Sequence, residues 1–209
     1  LDFVFGPDSI AKLPDIIGRV KGERERVVET AWVDSEEYVF PRADPETSRG
    51  KVTEFVTVMK GCDNVCSFCV VPHTRGREVS RPFPDVLTEV ASLAQVGVRE
   101  VTLIGQNVNS YLGGVSFAQL LLRCAEVPGI ERVRFTTSHP HDLSDELIEA
   151  FRVQPKICPH FHLPVQSGSN PVLKRMRRDY TVADYMVRLG KLREARPGIC
   201  ISSDFIVGF

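Results

Sequence analysis

No apolar run in this sequence approaches the ~20 consecutive residues that a membrane-spanning helix requires. Nothing at its start has the basic, apolar and small-residue order of a secretory signal. No membrane contact is therefore expected, and a cytosolic location is. An internal repeat of fixed period and a low-complexity tract are also missing, which argues against solenoid and fibrous architectures.

An excess of one charge sign is missing too: 26 Lys and Arg stand against 27 Asp and Glu, a formal net charge of −1. The balance is uneven along the chain. From Asn170 to Arg196, eight basic residues (Lys174, Arg175, Arg177, Arg178, Arg188, Lys191, Arg193, Arg196) face three acidic ones (Asp179, Asp184, Glu194), a local +5. A polyanion contact is expected to use part of this stretch, although a solvated helix face has the same composition.

Disulfide staples are not needed. With 209 residues, 43% of them hydrophobic and 25% charged, the chain buries a core of ordinary globular size. Six cysteines in a reducing compartment are poor disulfide candidates, and Cys62, Cys66 and Cys69 fall within one short segment, so a metal or redox explanation is required. The sequence starts at Leu1 and stops at Phe209 inside the apolar run Phe205-Ile206-Val207-Gly208-Phe209. A fragment of a longer protein is expected.

The first segment reads as an extended Asp2-Phe3-Val4-Phe5, then a short helix with Ile10, Leu13, Ile16 and Ile17 on one face and Asp8 or Ser9 as its cap. Residues 1–20 are expected to be the end of a preceding domain. Residues 21–50, charged and irregular up to Pro41-Arg42-Ala43-Asp44-Pro45, read as a linker. The domain proper spans 51–209. There, strand patterns at Val52 to Met59, Glu100 to Ile104, Arg132 to Thr137, His160 to Val165 and from Ile199 onward alternate with helical ones. The helices contain Val86, Leu87, Val90, Leu93 and Ala94, run from about Ser116 to Glu126, begin at the cap Ser144, and extend from Asn170 to Arg196 with a break near Asp179-Tyr180-Thr181.

Strand and helix in this alternation give βαβ units and a parallel sheet. The expected fold is α/β, a partial β/α barrel with five strands and a sixth beyond Phe209. The strands run into polar or small residues: Lys60-Gly61, Gly105-Gln106-Asn107, Thr137-Ser138-His139 and Gln166-Ser167-Gly168. A β/α barrel places its chemistry at such carboxyl ends.

The segment Gly61-Cys62-Asp63-Asn64-Val65-Cys66-Ser67-Phe68-Cys69 follows the first of these strands directly. One compact loop thus supplies three thiolates to one site. Three thiolates on an iron–sulfur cubane leave one iron open for a further ligand. Zinc with His73 as a fourth ligand is the competing site, and three core cysteines the simplest one; paired CxxC knuckles are absent, and Asp63, Asn64 and Ser67 between the cysteines are polar.

The spacing Cys62, Cys66, Cys69 with Phe68 before the last cysteine is similar to the CxxxCxΦC signature of the radical-SAM superfamily. The longer string from Gly61 through Val70-Val71-Pro72-His73-Thr74-Arg75-Gly76-Arg77-Glu78-Val79-Ser80-Arg81 resembles the MiaB-type methylthiotransferases. So do Gly105-Gln106-Asn107-Val108-Asn109-Ser110-Tyr111, Phe135-Thr136-Thr137-Ser138-His139-Pro140, His162-Leu163-Pro164-Val165-Gln166-Ser167-Gly168-Ser169 and Ser203-Asp204-Phe205-Ile206-Val207-Gly208-Phe209. The likeness covers nearly the whole chain.

This resemblance implies a 4Fe-4S cluster on Cys62, Cys66 and Cys69, whose open iron takes the amino and carboxylate groups of S-adenosylmethionine. Phe68 then lies near the adenine, and one electron from an external donor breaks the cofactor to methionine and a 5′-deoxyadenosyl radical. The implied reaction adds a methylthio group to C2 of N6-isopentenyladenosine beside the anticodon of tRNA, consuming two S-adenosylmethionines. Threonylcarbamoyladenosine in tRNA and a ribosomal-protein aspartate are the alternative substrates; a zinc-stabilised nucleic-acid-binding module is the alternative outside the enzymes. The family carries a second 4Fe-4S cluster on an N-terminal domain and an RNA-binding domain at the C-terminus, and neither lies in this sequence. A monomer is expected.

Gln106 and Asn107 stand where such enzymes hold the methionine end of the cofactor, although a polar turn looks the same. Ser138, Gln166 and Ser167 are candidates for the ribose or adenine, and Asp204 for either a cofactor contact or a satisfied core carboxylate. Arg75, Arg77, Arg81 and Arg178 are candidate phosphate contacts. His139, His141, His160 and His162 fall in two i, i+2 pairs; positioning roles are favoured over metal ligation. Cys124, Cys158 and Cys200 read as small core hydrophobes.

Overall fold

Alternation of β-branched strand segments with amphipathic helices organises the chain from Thr53 to Ser202. The computed structural model describes residues 2–23, 25–32 and 38–209. Three parallel strands, β3 (Thr53–Thr57), β6 (Glu100–Ile104) and β7 (Arg132–Phe135), form one sheet in the order β3-β6-β7. β8 (His160–His162) and β9 (Cys200–Ser202) form a second parallel pair. The two are linked by a parallel bridge between Val133 and Ile157 and by hydrogen bonds from Val133 N to Lys156 O and Cys158 N to Val133 O. Five parallel strands thus follow one another in sequence order, as in part of a β/α barrel; among the described residues no closed barrel forms.

The crossovers are α4 (Phe83–Gln95), α5 (Phe117–Glu126), α6 (Asp145–Val153) and the pair α7 (Asn170–Arg175) and α8 (Val182–Ala195). Their starts follow local rules. Ser116 accepts from the Gln119 amide and Ser144 from the Leu147 amide, and Thr181 and Asp184 make a reciprocal capping box that starts α8 after the break. Register places Val101 beside Val133 and Leu103 beside Phe135. These four side chains face the helices, where Phe135 meets Phe117, Phe151 and Phe161 edge-on with centroids 5.0–6.0 Å apart. On the other face of the sheet, Phe55 and Arg134 remain exposed. Helices therefore cover one side only.

The N-terminal segment departs from expectation. β1 (Phe3–Phe5) pairs in parallel with β2 (Val27–Glu29), so residues 21–50 are not uniformly irregular; they also contain the single helical turn α2 (Pro45–Ser48). Part of that expected linker, residues 24 and 33–37, lies outside the described residues. The helical segment opens as a 3-10 helix, Pro7–Lys12, that continues into α1 (Leu13–Glu23). Gly6 occupies its cap, while Asp8 and Ser9 are buried within it. Asp8 pairs instead with Lys60 of β4 (Met59–Lys60). The same Lys60 ammonium stands 4.2 Å from the Tyr38 ring centroid, which seats this segment on the mouth of the sheet.

Candidate active site

A sharp reversal at Gly61 launches the cysteine loop from β4. Gly61 has φ +73°, and a Cβ there would stand 2.0 Å from the Arg77 carbonyl oxygen, so only glycine fits. The Gly61 N–H donates to Gln106 Oε1 at 2.6 Å, and Cys62 N–H to Gly76 O at 3.3 Å. Asp63 then binds the loop to β5 (Val79–Ser80) and its approach, accepting from Arg77 Nε at 2.7 Å and from the Glu78 amide at 3.1 Å. Farther on, Ser67 N–H donates to Met176 O at 3.0 Å and its hydroxyl to Arg175 O at 2.9 Å, so the loop also docks on the end of α7. Cys69 N–H to Cys66 O, 3.0 Å, closes the last turn.

These ties bring Cys62, Cys66 and Cys69 with Phe68 to the wall of one cavity. Cys66 is the buried member, and two donors aim at its sulfur: Arg178 Nη1 at 3.4 Å and His139 Nε2 at 3.9 Å. His139 Nδ1 accepts from the His141 amide at 3.2 Å. In a neutral ring that assigns the proton to Nε2, facing Cys66. The ring is neutral because burial, and after it the Arg178 charge, hold its pKa down to about 3. Cys62 accepts from Asn64 Nδ2 at 3.6 Å; burial pushes its thiol up despite that bond.

The rest of the cavity is built from the carboxyl ends of the strands. Gln106 and Asn107 follow β6, Thr137, Ser138 and His139 follow β7, His162 and Gln166 come from β8 and its exit, and Asp204 follows β9. Thr137 and Gln166 hold left-handed backbones, φ 59° and 68°. Such conformations cost on the order of 1–3 kcal/mol each and persist where surrounding contacts impose them. One such contact is the Thr137 hydroxyl, which donates to Gly105 O at 2.6 Å and ties the ends of β7 and β6. Asn107 is 2% exposed; its Nδ2 donates to Asp142 at 2.7 Å, while its Oδ1 is buried with no partner among the described residues. An orphaned acceptor beside a cavity calls for a donor on whatever fills it.

The donor set fits a sulfur-ligated iron cluster. Among the described residues no group of three His, Cys, Asp or Glu side chains is placed to hold a single metal ion, and three thiols on one cavity wall are a ligand set for an iron–sulfur cluster. His73, the proposed zinc partner, is exposed on α3 (Val71–Thr74) and does not line this cavity.

Of the residues singled out in the sequence, the cavity gathers Cys62, Cys66, Phe68, Cys69, Gln106, Asn107, Ser138, His139, His162, Gln166, Arg178 and Asp204. Ser167 lies outside it; its hydroxyl oxygen accepts from the Ser169 amide at 3.2 Å. Asp204 lies past the end of β9 with its carboxylate exposed, 3.3 Å from His162 Nε2, so it is not a core carboxylate. Two arginines are not phosphate contacts. Arg81 is 1% exposed and paired with Glu89 at 2.6 Å, and Arg178 is buried against Cys66. Arg75 and Arg77 are exposed, Arg77 in a fork with Asp63. Cys124 and Cys158 are buried as expected; Cys200 is exposed. His160 and His162 share a face, both within 3.1 Å of the Ser202 hydroxyl, and only His162 reaches the cavity. Asn64 and Pro164 also line it; neither carried a signal in the sequence, since a proline and an amide in a loop are common.

The radical SAM superfamily pattern matches residues 56–209. Over its full length the chain is 86% identical to the tRNA-2-methylthio-N(6)-dimethylallyladenosine synthase of Myxococcus xanthus (strain DK1622) and 72% identical to that of Anaeromyxobacter sp. (strain K), covering 45% of each. The synthase of the same name from Geobacter sulfurreducens is 53% identical over 215 residues, with 47% of its length covered. The chain thus spans less than half of these relatives. Among solved structures, the cobalamin-dependent S-adenosylmethionine radical enzyme OxsB with aqua-cobalamin and S-adenosylmethionine bound superposes with a TM-score of 0.64 at 18% identity, over 85% of this chain and 27% of that one. The radical S-adenosylmethionine methyltransferase TsrM from Kitasatospora setae, with cobalamin and a [4Fe-4S] cluster bound, gives 0.60 at 19%, over 80% and 34%. At such identity the likeness is one of fold.

Proposed function

This chain belongs to the radical SAM superfamily, and we propose that it is the catalytic core of a tRNA methylthiotransferase that modifies C2 of N6-isopentenyladenosine beside the anticodon. The observation that carries the proposal is the meeting of Cys62, Cys66 and Cys69 with four strand ends in one cavity, in a sequence 86% identical along its whole length to a tRNA-2-methylthio-N(6)-dimethylallyladenosine synthase.

When bound, a 4Fe-4S cluster supplies the single electron, drawn from an external donor, that breaks a carbon–sulfur bond of S-adenosylmethionine. The protein's own part is placement. Cys62, Cys66 and Cys69 would hold the cluster at the cavity wall. Asn107 Oδ1, the orphaned acceptor, would accept a hydrogen bond from an ammonium or hydroxyl group of the cofactor. Gln106 has committed its Oε1 to Gly61 and offers only its amide N–H groups, matched to a carboxylate. Phe68 would offer an apolar face to the adenine, and Gln166, Ser138 and Asp204, which line the same cavity, would offer polar groups to the ribose. Enclosure by these walls limits water at the reacting carbon.

For the whole protein we assign tRNA as the substrate, with Arg75 and Arg77 as exposed phosphate contacts. The segment through β2, which pairs with β1, is assigned to the end of an N-terminal domain carrying a second cluster, the residues from there to 50 to the connection, and the site of action to the cytoplasm. Among the described residues no helix is long and apolar enough to cross a membrane.

Two experiments test this. Anaerobically reconstituted protein is incubated with S-adenosylmethionine and dithionite and assayed for 5′-deoxyadenosine, which Cys66→Ala should abolish. Mass spectrometry of tRNA from a strain lacking the gene should show isopentenyladenosine without its methylthio group. Intact methylthio-isopentenyladenosine with loss at threonylcarbamoyladenosine would reassign the substrate.

A further inference from the structure

We propose that Arg178 is a positioning residue that sets the reduction potential of the cysteine-bound cluster through the sulfur of Cys66. The inference rests on the reading that these cysteines hold such a cluster.

Arg178 is 7% exposed, and each of its three side-chain nitrogens donates to a group within the protein. Nε donates to Tyr180 Oη at 2.9 Å, Nη2 to Pro164 O at 2.9 Å, and Nη1 to Cys66 Sγ at 3.4 Å. No carboxylate pairs with it among the described residues. A buried guanidinium without an anion is unfavourable, because its lost hydration is not replaced. Only one of its three contacts becomes anionic, and that is the thiolate of Cys66.

The geometry is held from both sides. Arg177 adopts φ +55° at the end of α7, and Arg178 N–H donates to Leu173 O at 3.0 Å, a helix-terminating motif that swings Arg178 under the sheet mouth. Ser67, adjacent to Cys66, is bonded to the carbonyls of Arg175 and Met176. Sulfur and guanidinium therefore belong to one clamped unit. Net charge and hydrogen bonds at the sulfurs are what the protein uses to tune such clusters. One electron arriving from a low-potential external reductant makes the cluster more negative by one charge, with no bond made or broken. A fixed positive charge at Cys66 stabilises that reduced state and raises the potential.

The test is a dithionite redox titration followed by electron paramagnetic resonance, with iron counted per chain, on reconstituted wild type, Arg178→Met, Arg178→Lys and Tyr180→Phe. Arg178→Met should retain iron while its reduced-to-oxidised ratio at fixed potential falls about tenfold, a downward shift of 59 mV for one electron. Arg178→Lys keeps the charge without the rigid fork and should fall by less. Tyr180→Phe should match wild type. If Arg178→Met does not fold, the equally neutral Arg178→Gln takes its place. A wild-type midpoint in a neutral variant that holds iron, or an equal shift in Tyr180→Phe, overturns the proposal. Wild type that takes up no cluster defeats the underlying reading instead.

Discussion

Gln106 Oε1 receives the Gly61 N–H at 2.6 Å, so the end of β6 fixes the first residue of the cysteine loop 45 positions earlier. A side chain expected to hold the cofactor thus spends its carbonyl on the protein. Gln106→Glu keeps the acceptor and loses the amide donors; Gln106→Leu loses both.

Gln106→Leu should therefore lower the stability of the metal-free protein by about 1–3 kcal/mol, the cost of stranding a buried donor, and lower iron content with it. Gln106→Glu should keep iron and stability yet weaken binding of S-adenosylmethionine, because its carboxylate repels that of the cofactor. Denaturant titration, iron analysis and equilibrium binding separate the two. Equal iron loss in both variants would contradict this division of labour.

The six cysteines should divide cleanly. Alanine at Cys62, Cys66 or Cys69 is expected to remove the broad absorption near ~400 nm of the reconstituted protein, whereas Cys158→Ala and Cys200→Ala leave it. Cys124, fully buried with its thiol pushed up to about 12 by burial, is a core residue. Cys124→Ala should keep the absorption and cost about 1 kcal/mol in thermal unfolding.

Arg81 and Glu89 form a buried pair, 1% and 6% exposed, joined at 2.6 Å. The guanidinium also donates to Thr57 O at 3.1 Å and Asp85 O at 3.2 Å, binding α4 to β3. Arg81→Met should destabilise by about 3–5 kcal/mol by leaving the Glu89 carboxylate buried without its cation, with the Ala43 N–H at 2.8 Å still bonded to it. Its effect on tRNA affinity, corrected for the folded fraction, should be nil, whereas Arg75→Ala and Arg77→Ala should each flatten the salt dependence of binding.

Burial alone would raise the Glu100 carboxyl, but the hydrogen bonds from Arg132 at 2.5 Å and Arg134 at 2.8 Å outweigh it and hold the group below its usual 4.5. A carboxyl depressed in the folded state stabilises fully above its unfolded value and loses that contribution as pH falls through the folded one. Between about pH 5 and pH 3, wild type should lose more stability to acid than Glu100→Gln. Parallel curves from chemical denaturation would show that this cluster does not contribute.

What the sequence made legible was local. Ser144 was readable as a cap because a cap depends on residues three positions away, and the strand ends near Gly105 and Ser138 because apolar runs stop there. Arg81 and Arg178 were misread because an arginine in a window of sequence looks solvated; Glu89 and the Cys66 sulfur, which bury them, arrive only when α4 and α7 pack. The Asp8 carboxylate failed as a cap for the same reason: Lys60, 52 residues on, competes for it. Pairing of β2 with β1 was invisible because three residues show no period.

Hydrogen bonds at Gly61, Asp63, Ser67 and Cys69 tie the loop around Cys62, Cys66 and Cys69 to the rest of the protein. Loading metal then demands little chain ordering, unlike small zinc domains that unfold when stripped. A chelator should leave behind an intact empty socket, ready for repair by resupplied iron and sulfide after oxidative damage.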